Sequence, residues 1–176
     1  LAEVFYDVCL KNGVEFVDDK YIRANKSNDG NITSLKCENG THEADLFVDC
    51  TGFHSELLGK VMGVHYNSYA DTLINHRAIA AKIPYTDKNK QLTSYTNNVT
   101  MNNGWCYEIP LWDGMSVGYV HSLKFTTPEK IDKEFIDRYG VEPTKGVEFR
   151  TGRYEKAWVK NVASVGLSFG FIEPLE

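Results

Sequence analysis

The 176-residue sequence predicts a mixed α/β fold of the α+β type, in which most strands are antiparallel. Three observations favour this fold. A helical pattern opens the chain, two hairpin-turn signals follow it, and a second series of strand patterns begins at Leu73. Hydrophobic residues make up 42% of the chain and charged residues 24%, a composition typical of globular proteins rather than of disordered ones.

The first predicted elements are an amphipathic helix and a short strand. Residues 1–12 carry apolar side chains at helical spacing, including Leu1 and Val8, and Gly13 is a typical helix stop. The run Val-Glu-Phe-Val at residues 14–17 then predicts a strand.

Two dipeptides, Asp29-Gly30 and Asn39-Gly40, predict an antiparallel meander because both suit the positive φ angles of tight hairpin turns. The predicted strands lie at residues 21–24, 32–35 and 44–48. The last of them is the most apolar and runs towards Thr51. In open α/β sheets, ligands bind at the carboxyl ends of strands, although a plain strand followed by a turn glycine fits the pattern equally well.

The second half of the chain predicts another antiparallel sheet, which would cover one side of a pocket. Its strands are expected at residues 74–84, 92–101, 105–111 and 117–122. Pro128 and Glu129 mark a helix start, Ile131 and Phe135 belong to its apolar face, and Gly140 ends it. Residues 149–171 are then expected to return to the first lobe as strand, turn and buried strand.

Charge and hydropathy exclude two classes of partner. The net charge is -5 and no two Lys or Arg residues are adjacent, whereas a nucleic-acid surface needs clustered cations. No apolar stretch approaches the roughly 20 residues that a membrane span requires. We therefore expect neither nucleic acid nor a membrane as partner.

The cysteines predict free, buried or half-buried thiols rather than disulfides or a metal site. They stand far apart, at Cys9, Cys37, Cys50 and Cys106. The only close Cys/His neighbours are Cys37 with His42 and Cys50 with His54, and neither pair fits a known zinc spacing. Free thiols suit a reducing compartment, so a cytoplasmic location is the default expectation.

Four segments, in order, resemble the flavin-dependent halogenases of the tryptophan-halogenase family. They are ADLFVDCTG (44–52), NGWCYEIPL (103–111), VGYVHS (117–122) and GRYEKAWVKNVASVGLSFGFIEPLE (152–176). The second is similar to the family signature Gly-Trp-x-Trp-x-Ile-Pro, with Gly104, Trp105, Ile109 and Pro110 in place. It departs from the signature at Tyr107, and the third segment has His121 where the family has tyrosine.

The resemblance implies an FAD/NAD(P)-binding fold of the p-hydroxybenzoate-hydroxylase type, truncated at both ends. Residues 1–60 would belong to the FAD-binding domain, 61–148 to an antiparallel substrate domain, and 149–176 would return to the first. The implied activity uses reduced FAD from a flavin reductase, oxygen and a halide ion to form hypohalous acid. This oxidant would halogenate a small aromatic substrate such as tryptophan or another indole. A flavin monooxygenase of the same fold and a non-catalytic β-rich binding module remain the alternatives.

The resemblance also assigns roles to individual residues. Glu176 would be the catalytic carboxylate, which orients an oxidant held by a lysine and accepts the aromatic proton. The residues expected to contact the flavin are Val17, Thr51, Gly52, Gly166, Leu167 and Ser168. Trp105 would lie beside the flavin and keep organic substrate away from it, although a large core aromatic is an equally good interpretation.

The ends of the chain predict a piece of a larger enzyme. Leu1 already lies inside a helical pattern, and no Gly-x-Gly-x-x-Gly fingerprint occurs. We expect the dinucleotide-binding turn and the catalytic lysine before Leu1, and a halide-binding Ser-Thr-Gly after Glu176. The 176 residues alone are accordingly expected to be inactive.

Overall fold

A computed structural model describes residues 2–172 as three α-helices, fourteen short strands and three irregular helical turns. The helices are α1 (Ala2–Lys11), α2 (Lys88–Gln91) and α3 (Pro128–Tyr139), with 3-10 helices at Gly52–His54 and Gly166–Ser168 and a π-helix at Glu56–Val61. The strands are β1 (Tyr21–Lys26), β2 (Ile32–Cys37), β3 (Thr41–Glu43), β4 (Phe47–Asp49), β5 (Tyr66–Ser68), β6 (Arg77–Ile83), β7 (Asn97–Met101), β8 (Gly104–Leu111), β9 (Gly114–His121), β10 (Lys145–Glu148), β11 (Gly152–Tyr154), β12 (Trp158–Val159), β13 (Val162–Ser164) and β14 (Gly170–Phe171).

The strands form four sheets, which confirms the mixed α/β class with antiparallel sheets. The largest has the order β10-β6-β9-β8-β7, and the smaller ones are β1-β2-β3, β14-β11-β5 and β12-β13-β4. Within residues 2–172, the pair β4–β13 is parallel and the other pairs are antiparallel.

Two hydrophobic cores divide the described chain. The first contains Ile32, Phe47, Leu57, Leu58, Tyr154 and Val162, and so joins the early strands to the last segment. The second contains Ala81, Cys106, Val117, Tyr119, Ile131 and Phe135, where α3 packs on the five-stranded sheet. Each core buries apolar area from distant parts of the sequence, which is the main stabilising contribution to folding.

Helix α3 forms as the sequence predicts. Pro128 occupies the first turn, where its missing N–H costs no intrahelical bond, and Gly140 ends the helix at φ 69. Ile131 and Phe135 are buried in the second core. Helix α1 also forms and Gly13 follows it at φ +77, but none of its residues is buried and Phe5 is 60% exposed.

Both predicted hairpins form, by different turns. Gly30, between β1 and β2, has the positive φ (+89) that the Asp-Gly signal predicts, but Asp29 does not, and residues 27–31 form a longer loop instead of a two-residue turn. Between β2 and β3, neither Asn39 nor Gly40 has a positive φ, so that part of the prediction is wrong. The turn closes instead through a hydrogen bond from the Cys37 amide to the Gly40 carbonyl, at 2.9 Å.

Several predicted strands are wrong or too long. Residues 14–17 form no strand, because the chain folds back on α1 here and pairs with no other strand of the described chain. Phe16 lies against Tyr6, at 4.4 Å between ring centroids, and all four residues remain exposed. Of the predicted strand at residues 44–48, only residues 47–48 form strand, at the start of β4. Residues 92–96 form a loop rather than a strand, after the unpredicted α2, where Asp87 caps the helix by accepting from the Asn89 amide.

The last segment is more broken than expected. In place of a strand, turn and buried strand, residues 149–171 form four short strands and a 3-10 turn. The buried thiols are Cys37 and Cys106, whereas Cys50 is exposed, contrary to prediction. Among residues 2–172, no helix combines the length and the apolar character needed to cross a membrane.

Candidate functional site

The parallel pair β4–β13 brings two distant predicted site segments to one sheet edge. Its register places Ser164 opposite Asp49, so the loops that follow both strands leave at the same end. The Val165 amide donates to the Asp49 carbonyl at 3.1 Å, and the Ser168 hydroxyl lies 2.5 Å from the same oxygen. This is the edge at which α/β sheets bind ligands, and we refer to residues 49–55 with 165–168 as the strand-end site.

The carboxylate of Asp49 organises the first loop of the strand-end site. It is 1% exposed and accepts four hydrogen bonds. The Leu57 and Leu58 amides donate to Oδ2 at 2.8 and 2.9 Å. The Thr51 amide and hydroxyl donate to Oδ1 at 3.0 and 2.6 Å. These bonds attach the end of β4 to the first turn of the π-helix, whose free amides suit an anion.

The ionisation of Asp49 follows from that environment. Burial raises the pKa of the carboxyl, but the hydrogen bonds from Thr51 and from the Leu57 and Leu58 amides outweigh it. The net pKa therefore lies below the ordinary value for aspartate. The group is held as a structural anion, and its oxygens are fully engaged inside the protein.

Ser55 joins the two loops of the strand-end site. It is fully buried and has φ 42, an unusual conformation for a residue other than glycine. Its hydroxyl donates to the Ser168 carbonyl at 2.7 Å and accepts from the Gly59 amide at 3.0 Å. Such left-handed conformations persist where the surroundings fix them, as these two bonds do here.

The outer surface of the strand-end site combines exposed backbone with apolar side chains. Gly52 and Gly166 both have φ +64, and a Cβ added to either would meet no atom within 4 Å. Leu167 is 43% exposed and Val165 is 51% exposed. Open backbone beside apolar groups fits one face of a flat heteroaromatic ring, such as the isoalloxazine of FAD.

The predicted flavin-contacting residues separate into three groups. Gly52, Gly166 and Leu167 lie on the open surface. The side chains of Thr51 and Ser168 are engaged internally: Thr51 Oγ1 accepts from the Glu56 amide at 2.8 Å, and Ser168 is 0% exposed.

Val17 forms the third group. It lies in the non-strand segment after α1, and its side chain is 52% exposed.

The signature residues lie on strand β8. Cys106 is buried in the core with α3, and Glu108 accepts from Arg138 of α3 at 2.9 Å. Because side chains alternate along a strand, Trp105 and Ile109 lie on the opposite face of the sheet. Trp105 meets the Tyr107 ring edge to face, at 6.3 Å between centroids.

Gly104 and Pro110 serve the geometry of the same strand. A Cβ at Gly104 would overlap the Val120 carbonyl oxygen of the neighbouring strand β9, so the close approach of β8 and β9 requires glycine. Pro110 pairs with Met115 near the end of β8. The strand thus presents Trp105 and Tyr107 from a fixed backbone.

An aromatic cluster connects the strand-end site to the other half of the protein. Phe171 packs edge to face against Phe53 at 5.5 Å and against Phe149 at 5.3 Å. Arg150 donates to the Phe53 carbonyl at 3.3 Å and to the Tyr154 hydroxyl at 2.9 Å. A cavity of about 270 Å³ lies beside this cluster, lined by Phe149, Arg150, the segment between β5 and β6, and the residues that follow β9.

Glu176 and the three residues before it lie outside the described residues. Sequence reasoning missed Asp49, Ser55 and Arg150 as organising groups. A signal existed for Asp49, since it is the one charged residue in the apolar run Leu-Phe-Val-Asp-Cys. No pattern marked the other two.

Comparison with known proteins gives consistent matches along the whole chain. The family model described as tryptophan halogenase matches residues 1–176. Tryptophan 7-halogenase KtzQ from Kutzneria sp. (strain 744) is 38% identical over 171 residues, which cover 94% of this chain and 32% of the relative. Tryptophan 7-halogenase RebH from Lentzea aerocolonigenes is 35% identical, with the same coverage.

Solved structures agree with the sequence relatives. The crystal structure of tryptophan 6-halogenase SttH from Streptomyces toxytricini has a TM-score of 0.94 and 34% identity, covering 100% of this chain and 35% of that one. BrvH, a flavin-dependent halogenase from Brevundimonas sp. BAL3, has a TM-score of 0.89 and 27% identity, covering 99% and 36%. The chain spans about a third of the length of the relatives it matches.

Proposed function

The chain belongs to the tryptophan halogenase family, and from that membership we propose that it forms part of a flavin-dependent halogenase. The proposed activity consumes reduced FAD, oxygen and a halide ion, and it halogenates tryptophan or another indole. A flavin reductase would supply the reduced FAD. The single observation that carries the proposal is the match of the family model to residues 1–176, supported by relatives whose names state tryptophan halogenation.

The geometry of the strand-end site supports FAD as the cofactor. We propose that the backbone at Gly52 and at Gly166–Ser168, with the side chain of Leu167, lies against the isoalloxazine ring. Bound reduced FAD would provide the group that reacts with oxygen. The chain's own groups hold the ring and exclude water from one of its faces, and Asp49 and Ser55 keep both loops in position.

The two cores support a division of labour along the chain. The first core draws on residues that fall in the proposed FAD-binding segments 1–60 and 149–176, apart from partly buried neighbours such as Val64. The second core lies entirely within the proposed substrate domain 61–148. On the sheet of that domain, we propose that Trp105 separates the aromatic substrate from the flavin.

Glu176 is the proposed catalytic carboxylate, by its position in the motif Glu-Pro-Leu-Glu. A carboxylate accepts hydrogen bonds, so it can orient an oxidant and take up the proton that leaves the aromatic carbon. It also stabilises the positive charge that develops on the ring during substitution. Val17 remains a proposed backbone contact of the flavin.

The decisive experiment supplies full-length protein with FAD, a flavin reductase and its nicotinamide cofactor, oxygen, tryptophan, and either chloride or bromide. We expect a product heavier by one halogen in place of one hydrogen, measured by mass spectrometry. A product heavier by one oxygen would instead establish a monooxygenase. Failure to bind FAD, measured by the flavin absorbance of the purified protein, would contradict both activities.

Two matched pairs of variants test the residue roles. Glu176→Gln is expected to abolish halogenation without slowing the oxidation of reduced FAD, while Glu173→Gln retains both. An equal loss of both reactions in Glu176→Gln would remove its assigned role. Leu167→Glu is expected to weaken FAD binding, measured by equilibrium dialysis, because it places a charge against the ring. Leu111→Glu, at a leucine that is 41% exposed, is the control.

A further inference from the structure

A carboxylate, a thiol and an imidazole meet on the first sheet, away from the residues assigned above. Asp19, Cys37 and His42 each offer a ligand atom, and these atoms all lie within 4.8 Å of one another. We propose that the three residues bind a single divalent transition-metal ion, with zinc the best chemical match. Oxygen, sulfur and nitrogen donors in one cluster are the set from which protein zinc sites are built.

The hairpin β2–β3 brings two of these ligands to the same face. The register pairs Leu35 with His42, and Cys37 lies two residues beyond Leu35. Because side chains alternate along a strand, Cys37 and His42 therefore lie on one face as diagonal neighbours. Diagonal neighbours in a sheet are within reach of long side chains, and a metal ion bridges the remaining gap.

The third ligand is held in place by the β2–β3 turn. Asp19 Oδ1 accepts from the Lys20 amide at 2.8 Å and from the Asn39 amide and side-chain nitrogen, both at 3.1 Å. Its Oδ2 accepts a longer bond from the Asn39 amide, at 3.3 Å, and lies 3.5 Å from His42 Nε2. Hydrogen bonds from neighbouring groups are how metal-binding carboxylates are usually oriented. Asn39 thus has the position of an outer-shell residue.

The imidazole supplies an independent observation. His42 Nε2 is buried from solvent and makes no hydrogen bond within residues 2–172, because the Asp19 carboxylate that it faces lies at ion-pair distance, 3.5 Å, while 42% of the side chain is exposed. A buried polar atom without a partner is destabilising, and coordination of a metal would satisfy it. Asp19, on the far side of the same gap, has a side chain only 5% exposed.

The dimensions suit zinc after a small adjustment. Zinc bond lengths of about 2.0–2.3 Å in a tetrahedron place neighbouring ligand atoms roughly 3.5 Å apart. The separation between Asp19 and His42 already equals that value. Since His42 is partly exposed, its ring can move towards Cys37, and water can take the fourth position. Bound metal would join the segment before β1 to both strands of the hairpin.

The site departs from the expectation that the chain holds no metal. The spacing from Cys37 to His42 fits no known zinc pattern, and Asp19 lies earlier in the chain, before β1. Only the folded hairpin brings Asp19 close to the other two residues. Nothing in the proposed halogenation uses these residues, so the two proposals stand or fall separately.

Cobalt is the probe, because it substitutes for zinc and its absorption reports thiolate coordination and coordination number. Purified protein, treated with a chelator and dialysed, is titrated with Co²⁺ and then with Zn²⁺. We expect one Co²⁺ per chain, a thiolate-to-metal charge-transfer band, visible bands of a four-coordinate ion, and loss of all bands on adding zinc. Absence of stoichiometric binding, or binding without the thiolate band, would overturn the proposal.

Variants identify the ligands. Cys37→Ser and His42→Gln are each expected to lose the charge-transfer band, while Cys50→Ser, which removes the exposed thiol, keeps it. Asn39→Ala is expected to weaken binding by roughly 10- to 100-fold, as for other outer-shell residues. A band that survives in Cys37→Ser, or disappears in Cys50→Ser, would reject the site.

Thermal unfolding separates loss of binding from loss of fold. Zinc should raise the unfolding midpoint of the wild type and leave that of Asp19→Asn unchanged, because a ligand stabilises only the state that binds it. Circular dichroism at room temperature confirms that each variant is folded. An equal rise in midpoint for both proteins would show that zinc binds elsewhere.

Discussion

Ser168 lies with its hydroxyl 2.5 Å from the carbonyl oxygen of Asp49, a residue 119 positions earlier in the chain. The same hydroxyl accepts from Ser164 at 2.8 Å and also lies 2.7 Å from the Val165 carbonyl. It has one proton to donate, so these two carbonyls share it. A single buried hydroxyl therefore holds both loops of the strand-end site.

We expect Ser168→Ala to reduce the free energy of unfolding by about 1–3 kcal/mol, the usual cost of leaving buried polar groups without a partner. The Ser164 hydroxyl and the Asp49 carbonyl would both lose a bond. The measurement is denaturant unfolding, in which the midpoint should fall while the dependence of the free energy of unfolding on denaturant concentration stays unchanged. Ser94→Ala, at an exposed position, should change stability by less than about 0.5 kcal/mol. Equal effects in the two variants would contradict the role of Ser168.

The pKa of Asp49 predicts a loss of stability in acid. Its folded-state pKa is below the unfolded value of about 3.9, so its contribution is fully present above that pH and disappears as the pH falls through the folded-state pKa. At pH 7, Asp49→Asn should cost about 3 kcal/mol or more, since hydrogen bonds to a charged group contribute roughly 1.5–3 kcal/mol each.

The measurement is denaturant unfolding of wild type and Asp49→Asn between pH 7 and pH 3. The difference between the two proteins should be constant down to about pH 4 and shrink below it. Asp45→Asn, at an exposed aspartate, is the control. A difference that stayed constant through pH 3 would mean that Asp49 is not the titrating group.

Gly59 is required by the packing of Tyr154. A Cβ at Gly59 would overlap the Tyr154 hydroxyl and ring, and Tyr154 is only 5% exposed within the first core. Alanine is the better helix former, yet we expect Gly59→Ala to destabilise by about 1–3 kcal/mol, because overpacking a core costs that amount. Thermal or denaturant unfolding measures it.

Gly146→Ala is the matched control for Gly59→Ala. Its Cβ would meet only the Ile79 Cγ2 atom, at 4.0 Å, which is an ordinary van der Waals contact. The expected change is less than about 0.5 kcal/mol. Should Gly59→Ala prove as stable as Gly146→Ala, the Tyr154 ring must be free to move.

Arg150 is expected to matter for both stability and cofactor binding. Its guanidinium donates to the Phe53 carbonyl and the Tyr154 hydroxyl and lies 4.2 Å from the centroid of the Tyr66 ring. We expect Arg150→Gln to cost about 1–3 kcal/mol, from a charge-assisted bond and a cation–π contact. In the full-length protein it should also weaken FAD binding, because the loop after β4 would be less ordered.

Equilibrium dialysis with FAD and denaturant unfolding measure the two effects of Arg150→Gln. Arg23→Gln, at an exposed position on β1, should alter neither. A stability loss without any change in FAD binding would separate the aromatic cluster from the cofactor site.

The sequence predicted the elements whose signals are local. Helix α3 depends on Pro128, its apolar face and Gly140, and the turn at Gly30 depends on one residue with positive φ. These signals act over a few residues, so tertiary structure did not change them. The strand at residues 14–17 failed because a short apolar run also fits a loop packed on a neighbouring helix.

The candidate site was predicted in outline only. The motifs identified Gly52, Gly166 and Leu167, which lie together because β4 pairs with β13. They could not reveal that the Ser168 hydroxyl bonds to the Asp49 carbonyl, since that contact spans 119 residues. Nor could they reveal the four bonds to the Asp49 carboxylate, which depend on how residues 51–58 fold around it. The cluster at Asp19, Cys37 and His42 was hidden for a different reason, because its members meet only once the β2–β3 hairpin has formed and its turn has bonded to Asp19.

The parallel pairing of β4 with β13 also sets an order for folding. Strand β4 finds its partner only after the intervening residues have been made, whereas β8 and β9 can pair as soon as their hairpin leaves the ribosome. Contacts between distant segments form late and slowly. The five-stranded sheet with α3 can therefore form first, whereas the pairing of β4 with β13 waits until residue 164 has emerged.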